Sequence, residues 1–369
     1  MQSLTTLGSV ISGFGAFARL RRGSTDTRAP RRRRSAGPLL LISLALTATI
    51  AVPVSMAGQK RIALPKVDSS RLVPMGVYNG AGNPAGVARF EAQLGRKVEL
   101  AHDYLDRRSW QKIADVGWSA ERWRQAGYAG RMVFTVPMLP NSGANLRQGA
   151  AGRYNHHFRK LARGLVAHGH GTSTLRLGPE FNGRWYTWSM VVRNGARDYA
   201  RYWRHIVRTM RSVKGANFRF DWAPNAGSAW VDNGRTQVRA ASAYPGDKWV
   251  DYIGLDVYDQ SWAPDSNDAR KRWKEFVNQR DGLRWHVRFA AARNKPMSIP
   301  EWGLAKRQDG RGGGDNPYFI SQMHKWIQSH VIAYHLYFES TDSDAQYSVF
   351  SGGFPRAAKR FVQTFGGGT

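Results

Sequence analysis

From residue 73 onward the chain alternates two kinds of apolar pattern. Short dense runs read as strands buried on both faces: VPMGVY (73–78), VELAHDY (98–104), MVFTVPM (132–138), TLRLGPE (174–180), FRFDWAP (218–224), YIGLDVY (252–258), PMSIPEW (296–302) and VIAYHLYF (331–338). Between them apolar residues recur at helical spacing, as in VARFEAQL, YNHHFRKLARGLVAHG, RDYARYWRHIVRTMRSV and DARKRWKEFVNQRDGLRWHVRFAAAR. A last helical segment, FPRAAKRFVQTF, precedes GGGT. Eight strands alternating with helices over roughly 290 residues predict an α/β chain folded as one (β/α)8 TIM barrel, spanning 73–366. An open doubly wound sheet would want a glycine-rich phosphate turn after the first strand. YNGAGNPAG only loosely imitates one and no ribose-binding acid follows it, so no dinucleotide or other cofactor is expected.

Ahead of the barrel the pattern changes. Residues 1–38 are basic and include RLRRGSTDTRAPRRRR, 39–57 form an apolar run ending in small residues, and 58–72 read as a linker. A charged region, an apolar region and a Ser55-Met56-Ala57 exit predict a signal peptide cleaved near Ala57. The alternative is an uncleaved membrane tether, since 39–57 nearly suffices to span a bilayer. Either reading puts the barrel outside the cytoplasm, secreted or at the cell envelope.

Composition narrows the chemistry. The 369 residues contain no Cys, which excludes disulfides, thiol catalysis and Cys-ligated zinc. The net charge of +29 divides unevenly. Residues 1–66 hold 11 Lys/Arg against one acid, and the remaining 44 basic and 25 acidic residues leave the rest at +19. Such a surface attracts polyanions, whether acidic polysaccharide, anionic envelope or nucleic acid. No nucleic-acid motif accompanies the charge, so no nucleic-acid partner is expected.

Two glutamates sit in matching settings. RLGPEFNGRWYTW (176–188) ends the fourth strand with Glu180, and SIPEWG (298–303) ends the seventh with Glu301. Each follows an apolar run and a proline, Pro179 or Pro300, a residue tolerated where strands end or bulge. In a barrel both acids would point into one mouth. A carboxyl pair lined with Trp and Tyr fits glycoside hydrolysis, with one protonated acid and one ionised nucleophile. Trp185, Trp188, Trp222, Trp262 and Trp302 are candidates to stack on sugar rings. Structural packing of a Trp-rich strand end is the competing explanation for either motif alone.

These segments resemble glycoside hydrolase family 26, a clan A family of retaining barrels of β-mannanase type. RLGPEFNGRWYTW is similar to its acid/base segment, SIPEWG to its nucleophile segment and YIGLDVYD to its strand-six segment. VPMGVYNG and FRFDWAPN extend the likeness over about residues 73–340. The resemblance implies Glu180 as acid/base, Glu301 as nucleophile and Tyr258 as the residue that orients the nucleophile. It also implies a retaining endo-β-glycosidase acting on β-mannan, mixed-linkage β-glucan or β-1,3-xylan. One departure stands out: Pro179 occupies the place where the family usually carries His. That departure and the basic charge point to an acidic bacterial exopolysaccharide as a further candidate substrate. Pro179 also keeps open a carbohydrate-binding barrel that no longer cuts.

Further candidates for sugar hydroxyls are Asp103 and Tyr104, Asn182 and Arg184, Asn225 and Glu339. Asp256 could serve there too, or be buried against a base. His156, His157 and the HGHG at 168–171 lack a carboxylate at ligand spacing, so no metal is expected. GRGGGDN (310–316) reads as a mobile rim loop, and the protein as a monomer.

Overall fold

The computed structural model describes residues 72–128, 130–231, 236–262 and 268–367. The expected basic region, the signal or anchor and the linker up to residue 71 lie outside them. Among the described residues no helix is long and apolar enough to cross a membrane.

Eight parallel strands close into a barrel. They are β1 (Met75–Tyr78), β2 (Leu100–Tyr104), β3 (Arg131–Val136), β4 (Thr174–Leu177), β5 (Arg219–Trp222), β6 (Tyr252–Gly254), β7 (Met297–Gly303) and β8 (Ile332–Phe338). Each pairs with its sequence neighbours, and β8 returns to β1 in the register Met75↔His335 to Tyr78↔Phe338. All eight expected strands exist; β3 begins and β7 ends one residue outside the expected run, β6 stops four residues short, and the other ends are at most three residues shorter than expected.

The departures have local causes. The expected YIGLDVY strand breaks after Gly254 and resumes as Val257–Tyr258, paired with the end of β7. At the break Asp256 turns into the barrel toward Arg176, while its N–H is held by the carbonyl of Pro224 at 3.0 Å. Gly254 is required there, because a Cβ would lie 2.5 Å from an Asp221 carboxylate oxygen. The expected 268–293 helix is two helices, Ala269–Asn278 and Leu283–Ala291. Between them Asp281 adopts φ 52° and is fully buried, accepting from Arg239 Nε at 2.6 Å and Ala240 N at 2.8 Å. The hydrogen bonds available to that carboxylate outweigh continuation of the helix. Among the described residues the β5-to-β6 crossover holds a short hairpin (Ala229–Val231 with Thr236–Val238) and two 3-10 turns in place of an α-helix.

Hydrophobic packing lies mostly between strands and helices. The helix Gly195–Arg211 buries Tyr199, Tyr202, Trp203, Ile206 and Met210 at the spacing of one helical face. Each such side chain contributes about 1.5–3 kcal/mol on burial. The barrel interior is divided differently. Leu100, Val133, Tyr334 and Leu336 fill its floor, and Tyr104, Tyr258, Phe338 and Tyr347 line its mouth. Arg176 and Asp221 are buried within the barrel instead of the branched aliphatics usual there.

Candidate active site

The mouth is built from strand ends. Arg176 is an inward position of β4, wholly buried, and its guanidinium reaches two acids. Nη1 donates to Glu301 Oε2 at 2.5 Å and Nη2 pairs with Asp256. The same Nη1 meets Thr135 Oγ1 of β3 at 3.1 Å. Burial opposes the positive charge, but the two acids more than offset it and raise the arginine's pKa well above its ordinary value.

Glu301 accepts on both carboxylate oxygens. Tyr258 donates to Oε1 at 2.5 Å, while Tyr104 and Arg176 donate to Oε2. Both tyrosines are pushed well above the usual phenol range, chiefly by burial and then by the Glu301 charge, so they remain donors. Pro300 sits where β7 slips its register against β8, between Ile299 and Trp302. That bulge turns Glu301 inward and sends Trp302 out.

Glu180 sits differently. β4 ends at Leu177, and Gly178 and Glu180 both take left-handed backbone, φ 48° and φ 53°. The Gly178 N–H bonds Val136 O of β3 at 2.8 Å, and the Glu180 N–H bonds Ala223 O beyond β5 at 2.8 Å. Pro179, having no N–H, lies between these two footings and forfeits no bond. A non-glycine residue held in this region is uncommon and concentrates at functional sites. The Glu180 carboxylate accepts one bond, from Trp185 Nε1 at 2.9 Å. Burial, and next the charge of Glu301, push its pKa up to about 8, against the pull of Arg176 and the Trp185 bond. Two carboxyl groups of one mouth thus stand in opposite environments, one short of donors and one wrapped by them.

The other expected site residues sort by strand parity. Trp188, Trp222 and Trp302 are corrections: all three are buried in the packing layer and cannot stack on a ligand. Trp188 donates to Pro179 O at 2.9 Å, Trp222 stacks on Phe289, and Trp302 packs against Tyr337 and Phe361. Trp222 follows inward-facing Asp221 and Trp302 follows Glu301, so alternation sends both toward the helices. Asp103 also faces outward, where it binds Gly82 N, Ser119 Oγ and Trp123 Nε1 at 2.5–2.9 Å. Asn182 staples backbone: its Nδ2 reaches Asn225 O and Gly227 O, each at 2.8 Å, and its Oδ1 takes Asn225 N at 2.9 Å. Glu339 holds Val349 N at 2.8 Å and Phe350 N at 3.1 Å. Trp185 is at the site, beside Glu180. Trp262 stands half-exposed on the rim with the Arg307 guanidinium 5.8 Å from its ring centre. GRGGGDN, expected as a mobile rim, is tied to the end of strand six. Gly313 N bonds Asp259 O at 2.7 Å, and Asn316 Nδ2 bonds the Asp259 carboxylate at 2.7 Å.

Arg176 and Tyr186 escaped the sequence reading as site residues. The signal for Arg176 was a charge at an inward position of an apolar strand, four residues before Glu180. Tyr186 is buried, and burial foremost, then Glu180 and Glu301, raise its phenol. Among the described residues no group of three potential ligands could hold a metal.

Residues 173–295 match the model of Glycosyl hydrolase family 26. Endoglucanase H of Acetivibrio thermocellus is 25% identical over 272 residues, covering 70% of this chain and 27% of that protein. Mannan endo-1,4-beta-mannosidase of Bifidobacterium adolescentis is 30% identical over 145 residues, 38% of this chain and 13% of that protein. The chain therefore spans a small part of the length of either relative. Among solved structures, a modular endo-beta-1,4-mannanase from Cellulomonas fimi superposes with a TM-score of 0.57 at 18% identity, covering 80% of this chain and 70% of that one. A family 26 β-mannanase from Bacteroides ovatus gives 0.55 at 16% identity, covering 80% and 89%. At those identities the structures bear on the fold.

Proposed function

We propose that this chain, a glycoside hydrolase family 26-like protein, is a retaining endo-β-glycosidase that cuts a polysaccharide by double displacement. The observation that carries this reading is the contrast between the two glutamates of the mouth. Glu180 keeps its proton to about pH 8, as a general acid must. Glu301 is oriented by Tyr258, Tyr104 and Arg176 with both oxygens engaged. In the first step a Glu301 oxygen attacks the anomeric carbon while Glu180 gives its proton to the departing glycosidic oxygen. The C–O bond breaks and a glycosyl ester forms. In the second, Glu180 takes a proton from water as that water attacks the same carbon, and Glu301 leaves as carboxylate.

Trp185, donating to Glu180, and rim Trp262 are the aromatic surfaces placed to meet sugar rings. Asn182, Asn225 and Asp103 then act by shaping the loops that carry the site. The names of the relatives support β-mannan and β-glucan as first substrates to try, and the basic charge supports an acidic polysaccharide. The apolar segment 39–57 and its basic flank support export to the envelope or medium.

The test is reducing-end release by the purified full-length protein from β-mannan, mixed-linkage β-glucan, β-1,3-xylan and acidic bacterial polysaccharides. Glu180→Gln is expected to lower turnover by about 10²–10⁴-fold, the usual worth of a general acid–base, and Glu301→Gln to abolish it. On an aryl β-glycoside, whose phenolate departs without an acid, Glu180→Ala with added azide should turn over and yield a β-glycosyl azide, since azide attacks the ester without a base. Polymer binding that is equal in all variants, with no turnover in any, would mark a binding barrel instead.

A further inference from the structure

We infer that Asp221, inside the barrel on β5, is a positioning residue for Glu301, and that the nucleophile feels its ionisation through Arg176. This rests on the glycosidase reading above and adds a group that acts without touching the sugar.

Asp221 reaches both supports of the nucleophile. It is the register partner of Arg176 across the β4–β5 ladder, and Arg176 is the cation that binds Glu301. Its Oδ2 also accepts from Ser298 Oγ at 2.5 Å, and Ser298 stands three residues before Glu301 on β7. The Tyr334 hydroxyl of β8 donates to the same oxygen, from the position in register with Ser298. Asp221, Ser298 and Tyr334 are all buried. The carboxyl group is thus wedged between the strand that carries Glu301 and the side chain that neutralises it.

Two polar atoms here match each other. Among the described residues Asp221 Oδ1 accepts no hydrogen bond and Arg176 Nε donates none. One is an acceptor and the other a donor, on neighbouring strands. Asp256 Oδ1 is a second acceptor without a partner, although its other oxygen pairs with Arg176 Nη2. One guanidinium therefore serves three carboxyl groups: Glu301 and Asp256 by direct bonds, and Asp221 across the ladder.

Charge decides how it is shared. With Glu301 and Asp256 ionised the single cation is already outweighed, and a third buried carboxylate has no counter-ion of its own. Burial accordingly raises the Asp221 pKa to about 6, against the bonds from Ser298 and Tyr334 and the pull of Arg176. The charge of Asp251 pushes the same way as burial. Burial raises Asp256 too, with Arg176 opposing. The other titratable neighbours stay neutral: Tyr252 and Tyr334 are raised and His102 is lowered, each chiefly by burial. Below about pH 6 Asp221 is neutral, and Arg176 gives its charge to Asp256 and Glu301. Above it the new carboxylate draws the guanidinium through Nε, and Glu301 keeps more electron density for attack.

The experiment reads Glu301 with and without chemistry. Full-length protein labelled with carbon-13 at glutamate side-chain carboxyls is titrated by NMR, with Glu301→Gln assigning the signal. The Glu301 signal is expected to step near pH 6 in wild type and to lose that step in Asp221→Asn. Ser298→Ala removes a donor to the ionised form, so its step should move to higher pH. Trapping by 2-deoxy-2-fluoro-β-cellobiosyl and β-mannobiosyl fluorides follows attack alone. A Glu301 oxygen bonds the anomeric carbon, the C–F bond breaks and fluoride departs without an acid. Asp221→Asn should be trapped about 3–10-fold more slowly than wild type at pH 7, the scale of coupling through a shared partner. That deficit should at least halve by pH 5, where Asp221 of the wild type is itself neutral. Thermal denaturation checks the fold of each variant, and Ser298→Ala carries the test if Asp221→Asn does not fold. A Glu301 signal that still steps in Asp221→Asn, or an equal deficit at both pH values, would overturn the inference. If neither fluoride traps Glu301 in wild type, the glycosidase reading fails, and the NMR titration still decides whether Asp221 acts on Glu301.

Discussion

At the scale of single residues, Glu180 has the most to explain. Its backbone is left-handed, its carboxyl is buried, and it accepts one hydrogen bond from Trp185. Its pKa of about 8 stands above the ordinary 4.5. The folded protein therefore holds this proton more tightly than the unfolded chain does. The stability linked to it is fully present below pH 4.5 and is lost as pH rises through about 8. Glu180→Gln keeps a neutral group of the same shape. The variant should melt at the same temperature as wild type near pH 4 and several degrees higher at pH 9, at roughly 2–4 °C per kcal/mol for a domain of this size. Differential scanning calorimetry across that range checks it, and a constant offset would deny the shift. The same proton predicts that turnover falls above about pH 8, where the acid is spent. Sequence could mark Glu180 through its neighbours Pro179, Asn182 and Trp185. It could not reveal the raised pKa, which comes from burial and from Glu301, 121 positions away.

At the scale of elements, the loops after β4 and β5 are one unit. Asn182 makes all three of its bonds to the backbone at Asn225 and Gly227. Asn182→Ala leaves those groups without their partner and should cost about 1–3 kcal/mol in a urea titration. It should also lower kcat more than it raises KM, because Glu180 rides on the same loop. A loss confined to KM would assign Asn182 to the sugar instead. The strands were legible because each is buried on both faces and so reads as an unbroken apolar run. The breaks at Asp256 and Asp281 were not, since each is decided by a distant arginine, Arg176 or Arg239. The tryptophans show the same limit. Trp222 and Trp302 lie beside inward-facing acids, and only strand parity, with the bulge at Pro300, tells which of two neighbours faces the mouth.

At the scale of the whole molecule, closure and charge meet at Arg176. This one side chain links β3, β4, β7 and the break after β6 from inside the barrel. Arg176→Met leaves Asp256 and Glu301 as buried charges without their cation, a change worth about 3–5 kcal/mol. Unfolding should remain a single transition at a lower denaturant midpoint, with turnover lost even where the variant is fully folded. Restoration of that stability by adding Asp256→Asn would locate the cost in the unpaired charge. The barrel itself was readable from the count of alternations and the paired glutamates. Its polar interior was legible only in part: Asp256 could be read as buried against a base, but no local pattern names Arg176 as that base across a closed sheet.

The two backbone footings around Pro179 carry a mechanical consequence. Glu180 is slung between two piers, Val136 O on one side and Ala223 O on the other. Its carboxyl therefore moves whenever the spacing of those piers changes, even if nothing near it is altered. The acid acts as a strain gauge for that arc of the barrel. A packing defect that shifted β3 against β5, too mild to unfold the protein, would be read out at the mouth.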